Sequence, residues 1–157
     1  MLFEFQDYLT FENIYLWVSL GILPFWIMLI LIPSSRVAQI FINSVIIPLI
    51  LSSAYVYVFY QAILVDEDIL SLFILNLDLD SLYTLFATES FLLLFWIHFL
   101  SINLFLGSWV SRDAVKYNIS KILTFIPLIA IYFTGPLGLV LYWMIRIFYS
   151  KKLGFHD

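Results

Sequence analysis

Long apolar runs separated by short polar connections set the pattern of this chain. Residues 13–35, 37–65, 90–111 and 122–145 contain no Asp, Glu, Lys or Arg. Each run reaches the roughly 20 residues that a helix needs to cross a hydrocarbon core of about 30 Å. The apolar positions are continuous and do not alternate. Membrane-crossing strands would need alternation and closure into a barrel, so helices are expected. The pattern predicts an all-α polytopic membrane protein, a single transmembrane domain over residues 1–157. Its four transmembrane helices fall over about residues 13–33, 37–63, 90–111 and 122–147.

The connections differ in charge. The segment before the first span carries Glu4, Asp7 and Glu12, and the first connection carries Arg36 alone. The second connection is acidic, with Asp66, Glu67, Asp68, Asp78, Asp80 and Glu89 and no Lys or Arg. Within it, ILSLFILNLDLDSLYTLF is apolar enough to lie on the bilayer surface, so an interfacial helix is predicted between helices two and three; Leu77 to Asp80 also suits a short extended piece. The third connection is basic, with Arg112, Lys116 and Lys121 against Asp113. The positive-inside rule places connections one and three on the cytoplasmic or stromal side and the N-terminus outside.

The basic end, Arg146, Lys151 and Lys152, fits this scheme poorly if the fourth segment crosses once. Either it pairs with the acidic second connection, or Gly135–Pro136 splits the segment into a re-entrant pair that brings the end back. Each half would have about a dozen residues, roughly 18 Å and too short to span. A single crossing, kinked at Gly135–Pro136, is therefore the expectation.

Composition narrows the class. The chain is 64% hydrophobic, 20% aromatic and 11% charged, far from soluble domains at about half apolar and a quarter charged. No basic patch suits nucleic acid. The absence of cysteine excludes disulfides, thiolate catalysis and cysteine-based metal sites. The acidic opening MLFEFQDYLTFE lacks the basic region of a signal peptide, so the first span is expected to stay as an anchor.

Polar residues inside the spans are the candidates for chemistry, because ionisable groups there are costly. His98 lies near the middle of the third span. At 100° per residue, Ser101, Phe105, Trp109 and Arg112 follow it along one stripe. Asn103 sits about 140° away, on the side of Trp96 and Gly107. Polarity on two faces suits a helix buried in a bundle. His98 then serves either as a packing imidazole bonded to a neighbouring carbonyl or as a functional group. A metal site is not expected, since the other histidine, His156, lies in the tail. Asp113, about 22 Å along the helix from His98, is expected to pair with Arg112, Lys116 or Lys121. Glu89 suits the opposite helix end, where a negative charge complements the dipole.

In the fourth span, Pro136 lacks an N–H and disturbs the carbonyl of Tyr132. The break falls at the depth of His98 and Asn103, and a midplane pocket of Tyr132, Thr134, Gly135 and His98 is one reading. A kink that only shapes packing is the other. Pro24 and Pro48 add bends to the first two helices. Five tryptophans, Trp17, Trp26, Trp96, Trp109 and Trp143, suit interfacial belts and equally the walls of a polyene-like ligand site.

LPFW at residues 23–26 followed by Pro33, the W-x-H of Trp96 and His98, NLFLGSW at 103–109 with Asp113, and FTGPLGLVLYWMIR at 133–146 together resemble the abscisic-acid-deficient 4-like membrane family. The resemblance implies a small polytopic protein of plastids, cyanobacteria or other bacteria, housed in a thylakoid, plastid envelope or bacterial inner membrane. Plant members are linked to formation of the allenic xanthophyll neoxanthin from violaxanthin. The family pattern is H-x-x-x-F-D-L-F-x-G-x-W; here its Asp is Asn103 and its preceding Phe is Ile102. An amide cannot transfer a proton as a carboxyl does.

Such an isomerisation is redox-neutral. An acid protonates the epoxide oxygen while a base takes a proton from the adjacent polyene carbon. His98, with an ordinary pKa of about 6.5, suits either role, and Asp113 is the second catalytic candidate. Trp96, Asn103, Trp109, Tyr132, Thr134 and Gly135 are the expected ligand-binding residues. Two functions follow, beside the blander one of an assembly factor with no ligand. One is an isomerase, or the partner of one, acting on an epoxy-xanthophyll. The other is a non-catalytic subunit of a photosynthetic membrane complex, holding carotenoid or a chlorophyll on His98. Lipid, carotenoid and other membrane subunits are the expected partners.

Overall fold

The computed structural model describes residues 8–32, 35, 40, 46–65 and 78–150. All regular structure among them is helical. The helices are α1 (Phe11–Gly21), α2 (Leu23–Leu31), α3 (Ile46–Val65), α4 (Leu79–Phe86), α5 (Glu89–Lys116), α6 (Lys121–Thr134) and α7 (Pro136–Ser150). Three stretches are long and apolar enough to cross a membrane: Phe11–Leu31, Ile46–Leu64 and Glu89–Lys116. They match the first three sequence runs. Arg36, Asp66 to Asp68, the first half of the acidic connection and the tail with Lys151, Lys152 and His156 lie outside the described residues.

Local chemistry explains the boundaries. The first span is two helices, with Pro24 in the opening turn of α2, where its missing N–H costs nothing. Asp78 caps α4 by accepting the Ser81 N–H at 2.7 Å. Hydrogen bonds from the Ser81 side chain and then its backbone hold this carboxyl below its ordinary pKa. Within the predicted interfacial stretch, Leu79–Phe86 is helical and Asp78 is extended; residues 69–77 of it lie outside the described residues. Glu89 and Lys116 sit in the first and last turns of α5, each matched to the dipole. Beyond α5, Asn118 adopts φ 53°. Its N–H bonds the Val115 carbonyl and that of Ile119 bonds Ala114, a Schellman ending that turns the chain into α6. Ser120 then caps α6.

The chain forms two compact units. The first comprises Met1–Gly21 and Leu49–Phe99. Its core joins Ile14 of α1, Val58 and Ala62 of α3, Leu85 of α4, and Phe91, Leu93, Leu94 and Ile97 of α5. Phe86 packs edge-on against Phe91 and Phe95, which fastens α4 to the start of α5.

The second unit comprises Ile22–Pro48 and Leu100–Asp157. Here the fourth segment departs from expectation. It forms two helices of 14 and 15 residues that fold back on each other at Gly135, in place of one kinked helix. Gly135 has φ +61°, a conformation that side chains disfavour. The fold-back is tight: a Cβ on Gly138 would strike the Ile131 nitrogen and lie 2.6 Å from the Pro127 carbonyl oxygen. In a continuous helix those residues would be about 10 and 16 Å away along the axis. Gly138 is therefore the contact at which α7 seats on α6. At about 21 and 22 Å, neither helix matches a hydrocarbon core of about 30 Å.

Candidate functional site

The fold-back brings the end of α7 to the end of α5. Tyr142 and Arg146 are four apart on α7, so both side chains leave from one face. Both reach the same carboxylate oxygen. The Tyr142 hydroxyl and the Arg146 Nε each donate to Asp113 Oδ2 at 2.7 Å. Arg146 is 0% exposed and Asp113 8%, so this is a buried ion pair. Tyr117 and Trp143 wall the guanidinium, each with its ring centroid 4.9 Å away, and Arg146 Nη2 also donates to the Tyr117 hydroxyl at 3.4 Å. Trp109 stacks on Trp143 and meets Tyr142 edge-on.

Spacing along the chain predicts Arg112, Lys116 or Lys121 as the partner of Asp113. The structure pairs it instead with Arg146, 33 residues away, and leaves Arg112 exposed. A carboxylate held by a buried guanidinium and a phenol is a clamp between two helices. Sequence reasoning missed Tyr142 and Arg146. The available signal was a lone arginine four residues after a tyrosine in an otherwise apolar helix.

A second polar position lies on the inner face of α5. Asn103 is buried against the break, and a Cβ on Gly135 would come 2.5 Å from its Oδ1. Its Nδ2 has no hydrogen-bond partner among the described residues. One turn on, Gly107 receives the ring of Trp26, whose Cη2 would lie 2.7 Å from an added Cβ. The Trp26 indole N–H is likewise buried without a partner among the described residues, and the ring meets Tyr132 edge-on at 5.4 Å. Of the expected pocket residues, Asn103 and Gly135 thus touch, and Tyr132 lies against Trp26. Thr134 is exposed and donates to the Ala130 carbonyl.

His98 belongs to the first unit and is exposed, as are Phe105 and Arg112 further along its stripe of α5. Ser101 and Trp109 of that stripe are half-buried, with Trp109 packed on α7, whereas Asn103, Gly107 and Ser111 on the other face are fully buried. Trp96 is half-buried, and its indole donates to Ser19 Oγ at 2.8 Å. It lines an apolar groove of ≈ 690 Å³ with Tyr15, Phe86 and Phe95, where Glu12 and Glu89 supply two carboxylates. Among the described residues, no cluster of three or more His, Cys, Asp or Glu side chains is arranged to hold a metal ion.

The sequence profile of the ABA DEFICIENT 4-like family matches residues 13–142 of the 157. The chain belongs to that family. Among curated proteins and solved structures, none matches significantly.

Proposed function

We propose that this ABA DEFICIENT 4-like chain is a carotenoid-related integral membrane protein, an isomerase or isomerase partner that converts an epoxy-xanthophyll to an allenic product. Family membership over residues 13–142 carries the reading. The apolar groove beside Trp96, at ≈ 690 Å³, suits an elongated apolar ligand. In this reading His98, on the outer face of α5, meets the epoxide from the lipid side and moves the proton. Trp96 of the first unit, and separately Trp109, Tyr132, Thr134, Asn103 and Gly135 of the second, are the proposed ligand-binding residues.

In the membrane, three helices cross and α6–α7 forms a hairpin entering from one side. The hairpin puts Arg146 at the level of Arg112 and Lys116 and satisfies the positive-inside rule without pairing the basic end to the acidic connection. The housing membrane is a thylakoid, a plastid envelope or a bacterial inner membrane.

One observation favours a second reading. Asp113 is held by Arg146 and Tyr142, and position 103 is an amide packed at Gly135, so neither offers a free carboxyl. A non-catalytic subunit that holds carotenoid, or chlorophyll on His98, needs none. Pigment analysis of a carotenoid-producing host expressing the protein separates the two. An allenic product that disappears in His98→Ala supports the isomerase. Unchanged pigments with stoichiometric carotenoid or chlorophyll on the purified protein overturn it in favour of the binding subunit.

A further inference from the structure

The second unit contains a cavity of ≈ 310 Å³ at the junction of α2, the end of α5 and the start of α6. This is the small end of the range of about 300–1,000 Å³ for ligand sites, room for a headgroup and little more.

Its chemistry is one-sided. Lys121 is the only ionisable side chain among the described lining residues, and no carboxylate joins it. Its Nζ donates to the Leu31 carbonyl at a long 3.4 Å, and no carboxylate among the described residues pairs with it. Lys121 also opens α6, so the positive end of a 14-residue helix dipole faces the same space. Ser111 provides the independent sign of a missing partner. It lines the cavity, is 2% exposed, and its hydroxyl has no hydrogen-bond partner among the described residues. A buried hydroxyl without a partner costs about 1–3 kcal/mol, so a native site is expected to supply one. Cation, helix N-terminus and free hydroxyl together match an oxyanion.

Asn118, Ser120 and Thr124 add neutral polar groups near the start of α6, while Leu29, Ile30 and Leu128 form an apolar wall that suits a molecule whose charged group is attached to hydrocarbon. We propose that this cavity binds the phosphate of an anionic phospholipid, with the acyl chains leaving along α2 and α6. A zwitterionic lipid is disfavoured, because among the described lining residues no carboxylate or aromatic ring receives a choline cation. The lipid is a resident structural ligand of the basic end, separate from the groove at Trp96.

The test titrates phosphatidylglycerol, phosphatidylcholine or inorganic phosphate into the full chain in a neutral detergent and follows its Tm. Phosphatidylglycerol is expected to raise Tm saturably, and the other two are expected not to. In Lys121→Gln the half-saturating phosphatidylglycerol concentration rises about tenfold, as for loss of one charge-assisted hydrogen bond. Arg112→Gln, an exposed cation that does not line the cavity, leaves it unchanged. Should Lys121→Gln not fold without lipid, Ser111→Ala carries the same comparison. Equal stabilisation by phosphatidylcholine or by inorganic phosphate, or equal losses in the Lys121 and Arg112 variants, overturns the proposal.

Discussion

Arg146, near the end of the last helix, donates at 2.7 Å to Asp113, near the end of the long central helix, and both are buried. Removing one partner strands the other charge, while removing both does not. Arg146→Met alone is therefore expected to destabilise by about 3–5 kcal/mol, and Asp113→Leu/Arg146→Met by clearly less than the two single changes summed. Tyr142→Phe leaves the pair and removes one bond to a charged acceptor, a loss of about 1.5–3 kcal/mol. Reversible unfolding in mixed micelles measures all four.

The hairpin depends on two glycines for different reasons. Gly138→Ala forces α7 off the backbone of α6 at Ile131 and Pro127, a contact that no side-chain rotation relieves. Gly135→Ala combines a positive φ with a collision against Asn103, and the strain alone is about 1–3 kcal/mol. Adding Asn103→Ala to Gly135→Ala relieves the collision only, so a partial recovery of Tm is expected. Gly21→Ala, with open space around it, serves as the neutral control.

Gly107 and Trp26 form a shape pair. A Cβ at position 107 meets the Trp26 ring at 2.7 and 2.9 Å. Overpacking of this kind costs about 1–3 kcal/mol, and a smaller ring at position 26 makes room. Gly107→Ala is expected to lower Tm, and Gly107→Ala/Trp26→Phe to recover part of the loss. A double variant no better than the sum of its parts contradicts the pairing.

Trp96 holds α1 to α5 through its bond to Ser19. Trp96→Phe keeps the aromatic wall of the groove and removes that bond, at about 0.5–1.5 kcal/mol. A lower Tm with retained pigment binding is the expected result, and His98→Ala, at an exposed position, is expected to leave Tm unchanged.

The first three spans were legible because uncharged runs of sufficient length admit few alternatives. The opposed faces of His98 and Asn103 also follow from helical spacing. What spacing alone leaves open is which face is covered, and the covered face carries Asn103, Gly107 and Ser111. Gly135–Pro136 was legible as a break. Its outcome was not, because a kink and a fold-back share the same local backbone chemistry. The choice rests on contacts distant in sequence: Gly138 against Pro127, and Asp113 against Arg146. The nearby cations Arg112, Lys116 and Lys121 masked the true partner, because proximity along the chain says nothing of what the hairpin returns.

The return of α7 to Asp113 is the relationship on which the ion pair and the single basic side depend. The chain has no cysteine, so labelling of single introduced thiols reads it without background. In sealed vesicles, a membrane-impermeant maleimide is applied to the variants Ala87→Cys, Asn118→Cys and Tyr149→Cys. Positions 87 and 118 flank α5, whose 28 residues extend about 42 Å. The thiol at position 149 is expected to react from the same side as the one at 118 and opposite to the one at 87. Reaction at position 149 from the side of position 87 contradicts the account.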